Sequence, residues 1–251
     1  MHPCAVIPHY DHIDQFRRML PRLLEHGLPL VIVDDASPDH IYRRLERLLA
    51  EQAPAAMLLR HAENQGKGGA VITGLKAAFD ASFTHALQLD ADGQHDVGEI
   101  PGFLELARAH PDSLVCGRPE FDESISALRF YSRYITLFFC RLASLSSEIQ
   151  DALCGFRIYP LATVVPMLAE CKLGKRMAFD PEILVRCVWA GIPLRYRSIR
   201  VCYPDDGRSH YHYFRDNLTV AWMHVRTVFG MVPRSPRLLR RARSRWRGAA
   251  G

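Results

Sequence analysis

No run of 18 uncharged apolar residues occurs in the 251-residue sequence, so an ordinary membrane-spanning helix is not expected. The nearest approaches are residues 134–147, broken by Arg141, and residues 218–232, broken by Arg226. The opening residues MHPCAVIPHYDH lack the apolar core of a signal peptide. Seven cysteines are present, an odd number, and no pair has CxxC spacing. Thiols set in apolar runs read as packed, reduced side chains in a reducing compartment, which excludes a disulfide framework. Twelve histidines form no HxxxH or HExxH pattern. After the first apolar run stands Pro8-His9-Tyr10-Asp11-His12 and not GxGxxG, which argues against a nicotinamide-dependent dehydrogenase. A sugar nucleotidyltransferase would place a glycine-rich, arginine-bearing loop there, and that too is missing.

Acid is also missing from the end of the chain. Residues 234–251 hold seven arginines and no Asp or Glu. Subtracting that +7 from the net charge of +5 leaves the first 233 residues at −2. The body is near neutral and the basicity is a tail, suited to anionic lipid headgroups or simply solvated and poorly ordered. A non-catalytic nucleotide- or nucleic-acid-binding α/β protein is the alternative class. It would leave the acidic and glycine-bearing strand ends described next without a purpose, and nucleic acid is not an expected partner.

What is there is an alternation of short apolar runs with helical patterns. Apolar runs lie at residues 4–7, 30–33, 55–59, 86–89 and 113–116. Helical spacing separates them: Ile13, Phe16, Met19, Leu20, Leu23 and Leu24, then Ile41, Leu45, Leu48 and Leu49, then residues 70–79. This predicts an α/β fold with a mostly parallel sheet covered by helices on both faces. In the second half the pattern predicts helices over 124–145 and 181–190, and strands over 155–159 and 193–202. Phe214, Leu218, Ala221, Trp222, Val225, Phe229 and Val232 recur on one helical face. The organisation expected is a domain over 1–212, an amphipathic helix over 213–233 and an Arg-rich tail over 234–251. That helix has three candidate uses: a membrane surface, the core, or the interface of a homodimer.

Ligands of such sheets sit beyond the carboxyl ends of the strands, so the residues there carry the functional reading. Asp90-x-Asp92 follows the apolar Leu87-Gln88-Leu89. Two carboxylates leaving a strand can converge on a hard divalent cation, Mg²⁺ or Mn²⁺, and leave coordination positions open for phosphate oxygens. Gln94 can add a carbonyl oxygen. Asp34-Asp35 is a second acidic pair, with Asp35 a candidate for a nucleobase or ribose and the alternative an N-cap near Pro38. Asn64-x-Gly66-Lys67-Gly68 at a helix start places N–H groups and an ammonium where a phosphate can bind, without P-loop spacing. Asp151, Gly155 and Arg157 cluster in Gln150–Arg157, where Cys154 reads as packing. Asp180 and Glu182 open a helix, where acids favour the N-terminus electrostatically.

Five segments in this order, namely Val6–Tyr10, Val31–Asp39, Asn64–Gly68, Leu87–His95 and Gln150–Arg157, resemble the inverting family-2 glycosyltransferases of the GT-A fold. Within that family the sequence is most similar to dolichyl-phosphate mannose synthases and related polyprenyl-phosphate glycosyltransferases, over roughly residues 4–205. The resemblance implies a hexosyltransferase using a nucleotide-diphosphate sugar, a Mg²⁺ or Mn²⁺ cofactor, and a polyprenyl phosphate or lipid hydroxyl as acceptor. It implies donor contacts from Pro8, Tyr10 and Asp35, and metal and diphosphate contacts from Asp90, Asp92 and Gln94. Arg118 and Arg157 are implied at the diphosphate or at an acidic acceptor. Where the acceptor is a hydroxyl, a base is needed, and Asp151, Asp180 and Glu182 are the candidates. Three departures stand out: Asp11 replaces the family's usual Asn, His210 replaces a Lys, and the membrane-spanning helices of some relatives are not found. The expected location is the cytoplasm, free or peripheral on the cytoplasmic face of the inner membrane, with the Arg-rich tail on an anionic surface.

Overall fold

The computed structural model describes residues 1–120, 127–200 and 213–248. The strands are β1 (Pro3–His9), β2 (Leu30–Asp34), β3 (Met57–Arg60), β4 (His85–Gln88), β5 (Leu114–Glu120), β6 (Arg157–Pro160) and β7 (Leu194–Arg200). The helices are α1 (Ile13–Leu24), α2 (Asp39–Gln52), α3 (Lys67–Asp80), α4 (Ile100–Ala109), α5 (Ala127–Ser144), α6 (Leu161–Glu170), α7 (Phe179–Ala190), α8 (Tyr213–Met231) and α9 (Ser235–Gly248).

One seven-stranded sheet has the order β3-β2-β1-β4-β6-β5-β7. All pairings are parallel except those of β6, which runs antiparallel to both β4 and β5. The alternation of side chains along β1 sorts the core into two layers. Ala5 and Ile7 face Phe16, Leu20, Leu45 and Phe103 from α1, α2 and α4. Cys4 and Val6 face Val71, Leu75, Cys140 and Leu184 from α3, α5 and α7. Every residue of β2 is buried, which is why its run is apolar without alternation. Gly74 lets α3 lie directly on the sheet, since a Cβ there would meet Val6 Cγ1 at 2.4 Å.

β1 is flanked by β2 on one side and β4 on the other, and the chain order reverses between β1 and β4. That switch point opens a crevice at the carboxyl ends of β1, β2 and β4, where the acidic segments lie.

Within the Arg-rich segment, residues 235–248 form α9, with Leu238 buried. Arg241 Nη1 donates to the carbonyls of Trp189 (3.0 Å) and Val188 (3.4 Å) in the last turn of α7. Helix α6 is an element the sequence pattern did not reveal. The segment Gly207–His210 lies outside the described residues. Among the described residues no helix is long and apolar enough to cross a membrane.

Candidate active site

The centre of the crevice is an ionic cluster drawn from three distant segments. Asp90 and Asp92 leave the end of β4, Lys67 is the first residue of α3, and Asp180 is the second residue of α7. Lys67 Nζ donates to Asp90 Oδ2 at 2.8 Å and to Asp180 Oδ2 at 2.9 Å. Gln88, inside β4, reaches Asp180 Oδ1 through Nε2 at 3.4 Å and accepts from the Tyr159 hydroxyl at 2.8 Å. Gly155 closes the cluster from below. A Cβ at that position would come within 2.6 Å of Lys67 Nζ and 2.8 Å of Asp90 Oδ2. The glycine of the Gln150–Arg157 segment is therefore set by space, not by backbone freedom.

The electrostatics divide the two aspartates. Burial by itself would raise Asp90, but the charge and hydrogen bond of Lys67, together with the charges of His95 and Arg157, outweigh it and hold the carboxyl below the usual range. Asp92 is pushed the other way, by burial first and then by the charge of Asp90. Its Oδ1 accepts from the Gln94 backbone N–H at 3.0 Å, so Gln94 enters the turn through its main chain. Asp90 Oδ1 is buried with no hydrogen-bond partner among the described residues. His95 packs edge-on to Phe156 at 5.5 Å, and burial lowers its pKa.

An orphaned carboxylate oxygen beside a carboxyl that resists ionisation is an arrangement a divalent cation relieves. Among the described residues no group of three or more His, Cys, Asp or Glu is disposed to hold a metal. Two carboxylates nevertheless suit a Mg²⁺-type ion that takes its remaining oxygens from water and phosphate. The donor set fits such an ion.

The other acids and arginines are differently employed. Asp35 is buried, and both its oxygens are taken. Oδ1 lies 2.7 Å from His61 Nδ1 and accepts from Gln65 N at 2.9 Å, while Oδ2 accepts from Gly66 N at 2.7 Å. Expected at the nucleobase or ribose, it pins the turn in front of Lys67. Gly66 makes that turn possible with φ +87°, a conformation that favours glycine. Asp34 is bound by His9 (3.0 Å) and Ser37 N (3.1 Å), which outweigh burial and keep its pKa low.

Arg157 is wholly buried and donates to the carbonyls of Cys154, Asp180 and Ala152 at 2.8, 2.9 and 3.2 Å. It is a strut beneath the cluster, with Nη1 also 3.8 Å from Asp180 Oδ1. Asp151 is ion-paired with Arg133 of α5 and accepts from the N–H groups of Leu153 and Cys154. Glu182 is buried between Arg186 and Arg226 and accepts from Gly174 N at 2.9 Å, so none of its partners belongs to the cluster. Arg118 is exposed on β5 and donates to Gln150 and Ser198. Pro8 and Tyr10 lie partly buried at the end of β1. An open pocket of about 400 Å³ lies at the ends of β2 and β3, lined by Ala36, Asp39, Arg60, His61 and Ala62. Cys154 is buried, and desolvation pushes its thiol up to about 12, consistent with packing and not nucleophilic chemistry.

The signature of glycosyl transferase family 2 matches residues 4–162, from β1 to the start of α6, the stretch that supplies Lys67, Asp90 and Asp92 of this crevice but not Asp180. The chain belongs to that family. The glycosyl transferase is 25% identical over 212 residues to an uncharacterized protein of Methanocaldococcus jannaschii, covering 82% of this chain and 90% of that one. It is 32% identical over 112 residues to the UDP-N-acetylglucosamine–dolichyl-phosphate N-acetylglucosaminyltransferase of Methanococcus voltae, covering 40% of this chain. That match spans 45% of the Methanococcus enzyme, less than half of its length. Its fold is shared with a mannosyltransferase from Pyrobaculum calidifontis solved with GDP-Man and Mn²⁺, at a TM-score of 0.59 and 18% identity. That superposition covers 89% of this chain and 62% of the other.

Gln88 and Tyr159 also belong to the site, although the sequence pattern did not point to them. A polar side chain in the middle of the buried strand before Asp90 was the signal for Gln88. For the contact between Lys67 and Asp180, 113 residues apart, no local signal exists.

Proposed function

We propose that this glycosyl transferase moves a sugar from a nucleoside-diphosphate donor to a lipid-linked phosphate, using Mg²⁺ or Mn²⁺ held by Asp90 and Asp92. The observation that carries the choice of acceptor is the state of the three candidate bases. Asp180 is paired with Lys67, Asp151 with Arg133, and Glu182 with two arginines. A hydroxyl acceptor needs a base within hydrogen-bond reach. A phosphate, with its second pKa of about 6, arrives already ionised and needs none. The Methanococcus voltae relative, by its name, acts on dolichyl phosphate.

The cation, when bound, neutralises charge growing on the departing diphosphate. Lys67 supplies a second positive charge at the same place and is held there by Asp180. Pro8 and Tyr10, with the cavity beside His61, take the nucleoside. Arg118 faces the acceptor side. In a single in-line displacement the acceptor phosphate oxygen bonds to the anomeric carbon, the bond from that carbon to the diphosphate breaks, and the configuration inverts. No proton has to be moved.

Calorimetric titration of UDP, GDP and dTDP with and without Mn²⁺ tests the donor site. One nucleotide is expected to bind only with metal, and Asp92→Asn is expected to abolish it. Absence of binding under every condition would sink the transferase reading. Transfer of labelled sugar to a polyprenyl phosphate but not to the matching polyprenol tests the acceptor. Equal turnover on the alcohol would refute the phosphate.

A further inference from the structure

Helices α5 and α8 pack on each other beside the crevice, and each leaves a row of large apolar side chains in solvent. On α5 these are Ile135, Phe138 and Leu142, and on α8 they are Leu218, Trp222, Val225 and Phe229. Both sets recur every three or four residues, so each row is one continuous helical face. Phe138 is 61% exposed, Trp222 65% and Phe229 72%. These helices have satisfied their inner faces already. Leu137 and Cys140 of α5 are buried in the core, as are Met223 and Thr227 of α8, and Arg226 anchors α8 on Glu182. Two adjacent apolar rows of this size are beyond the scattered exposed residues of an ordinary soluble surface.

The charge around the rows says what covers them. Residues 127–144 contain three arginines and no acid, and residues 213–251 contain nine arginines against one acid, Asp216. Arg133 and Arg226 are paired with Asp151 and Glu182 and Arg234 stacks on Trp189, but Arg237 and Arg240 are exposed on the continuation of α8 into α9. A second copy of the chain on a two-fold axis would bring this positive field against itself. A bilayer rich in anionic headgroups complements it and accepts the apolar side chains below.

We infer that the α5–α8 face is a seat on an anionic membrane surface, with α5 and α8 inserting their exposed side chains side by side and the α9 arginines binding headgroups. Helix α5 also carries Arg133, the partner of Asp151 in the segment that ends under Asp90. The seat therefore adjoins the crevice. The inference stands on exposure and charge and does not depend on the transferase reading.

The test is flotation of the full chain with phosphatidylcholine vesicles, with and without phosphatidylglycerol, alongside sedimentation equilibrium. The chain is expected to float with the anionic vesicles and to be released by high salt. Phe138→Ser with Phe229→Ser should lower partitioning by about tenfold or more. Arg237→Gln with Arg240→Gln should do so to a similar degree on anionic vesicles. Both pairs are outside the nucleotide site, so unchanged nucleotide binding certifies that each variant is folded. Quenching of wild-type fluorescence by brominated lipid, lost in Trp222→Tyr, would place α8 in the bilayer. Three results would overturn the proposal: no flotation of the wild type, loss of flotation in the arginine pair alone, or a stable dimer that the Phe138/Phe229 pair dissolves.

Discussion

Lys67 bridges Asp90 and Asp180, with the Arg157 guanidinium 3.8 Å from Asp180 on the buried side, and replacing the lysine by methionine asks what its position is for. Each contact, at 2.8 and 2.9 Å, is worth about 6 kcal/mol of bare attraction at an effective dielectric of about 20. Desolvation of the ammonium cancels much of this. Removing one partner of a buried ion pair costs about 3–5 kcal/mol, because the charges left behind have no counterion. The Lys67 side chain is 25% exposed and Asp90 19%, so the lower end applies, about 3 kcal/mol. For a chain of this size that is a fall in melting temperature of roughly 10 °C. The sign with pH follows from Asp90. Its pKa is depressed in the folded state, so the stability it contributes is present above the unfolded value of 3.8 and lost as pH falls through the lower folded value. The gap between wild type and Lys67→Met should accordingly narrow as the pH is lowered into the carboxylate range. The variant's two bare carboxylates should also attract Mn²⁺, which is expected to raise its melting temperature more than that of the wild type. Differential scanning calorimetry over pH, with and without Mn²⁺, reads both effects. Equal melting temperatures and equal responses to the metal would refute the role of Lys67 as the counterion of the site.

Other substitutions probe the same framework. Gly155→Ala forces a methyl against Lys67 Nζ and Asp90 Oδ2; metal-dependent nucleotide binding should fall by more than about tenfold with the melting curve little changed, and retained affinity would show that the cluster can shift. Arg157→Met strands three buried carbonyls and should cost about 3–5 kcal/mol in a denaturant melt; a normal melt with lost turnover would restore a direct catalytic role. His224 of α8 is buried against Phe139 with both ring nitrogens unpartnered among the described residues, and burial lowers its pKa from 6.5 to about 4. The unfolded chain then binds the extra proton first, so stability falls as pH drops from 6.5 towards 4, by about 3 kcal/mol in all. His224→Phe should remove that slope and stabilise the chain at neutral pH, and thermal melts across this range decide.

Much of the fold was readable because the physics is local. A strand buried on both faces reads as an unbroken apolar run, and all five runs before residue 120 mark strands. The motif Asp90-x-Asp92 was informative for the same reason, since it stands where β4 stops. The antiparallel insertion of β6 was not readable: a four-residue strand carries no mark of its direction. The surroundings of Arg157 were not readable, since the three carbonyls that satisfy its guanidinium are assembled only in the folded interior. Those of Asp35 were hidden in a similar way. Its position after β2 suggested a ligand, and only the fold reveals that the Gln65 and Gly66 amides come to it from 30 and 31 residues away. Helix α9 was not readable because composition alone predicts solvation; buried Leu238 and the carbonyls in the last turn of α7 that take Arg241 supply the docking that composition cannot show.

Asp180 and Glu182 stand two positions apart in the first turn of α7 and look in different directions. One grips the lysine of the crevice; the other grips Arg226 of α8. A helical turn does not stretch, so these two grips move as one piece. The first turn of α7 is in this sense a clamp, with its outer end on the helix whose apolar row faces solvent and its inner end on the ammonium over Asp90.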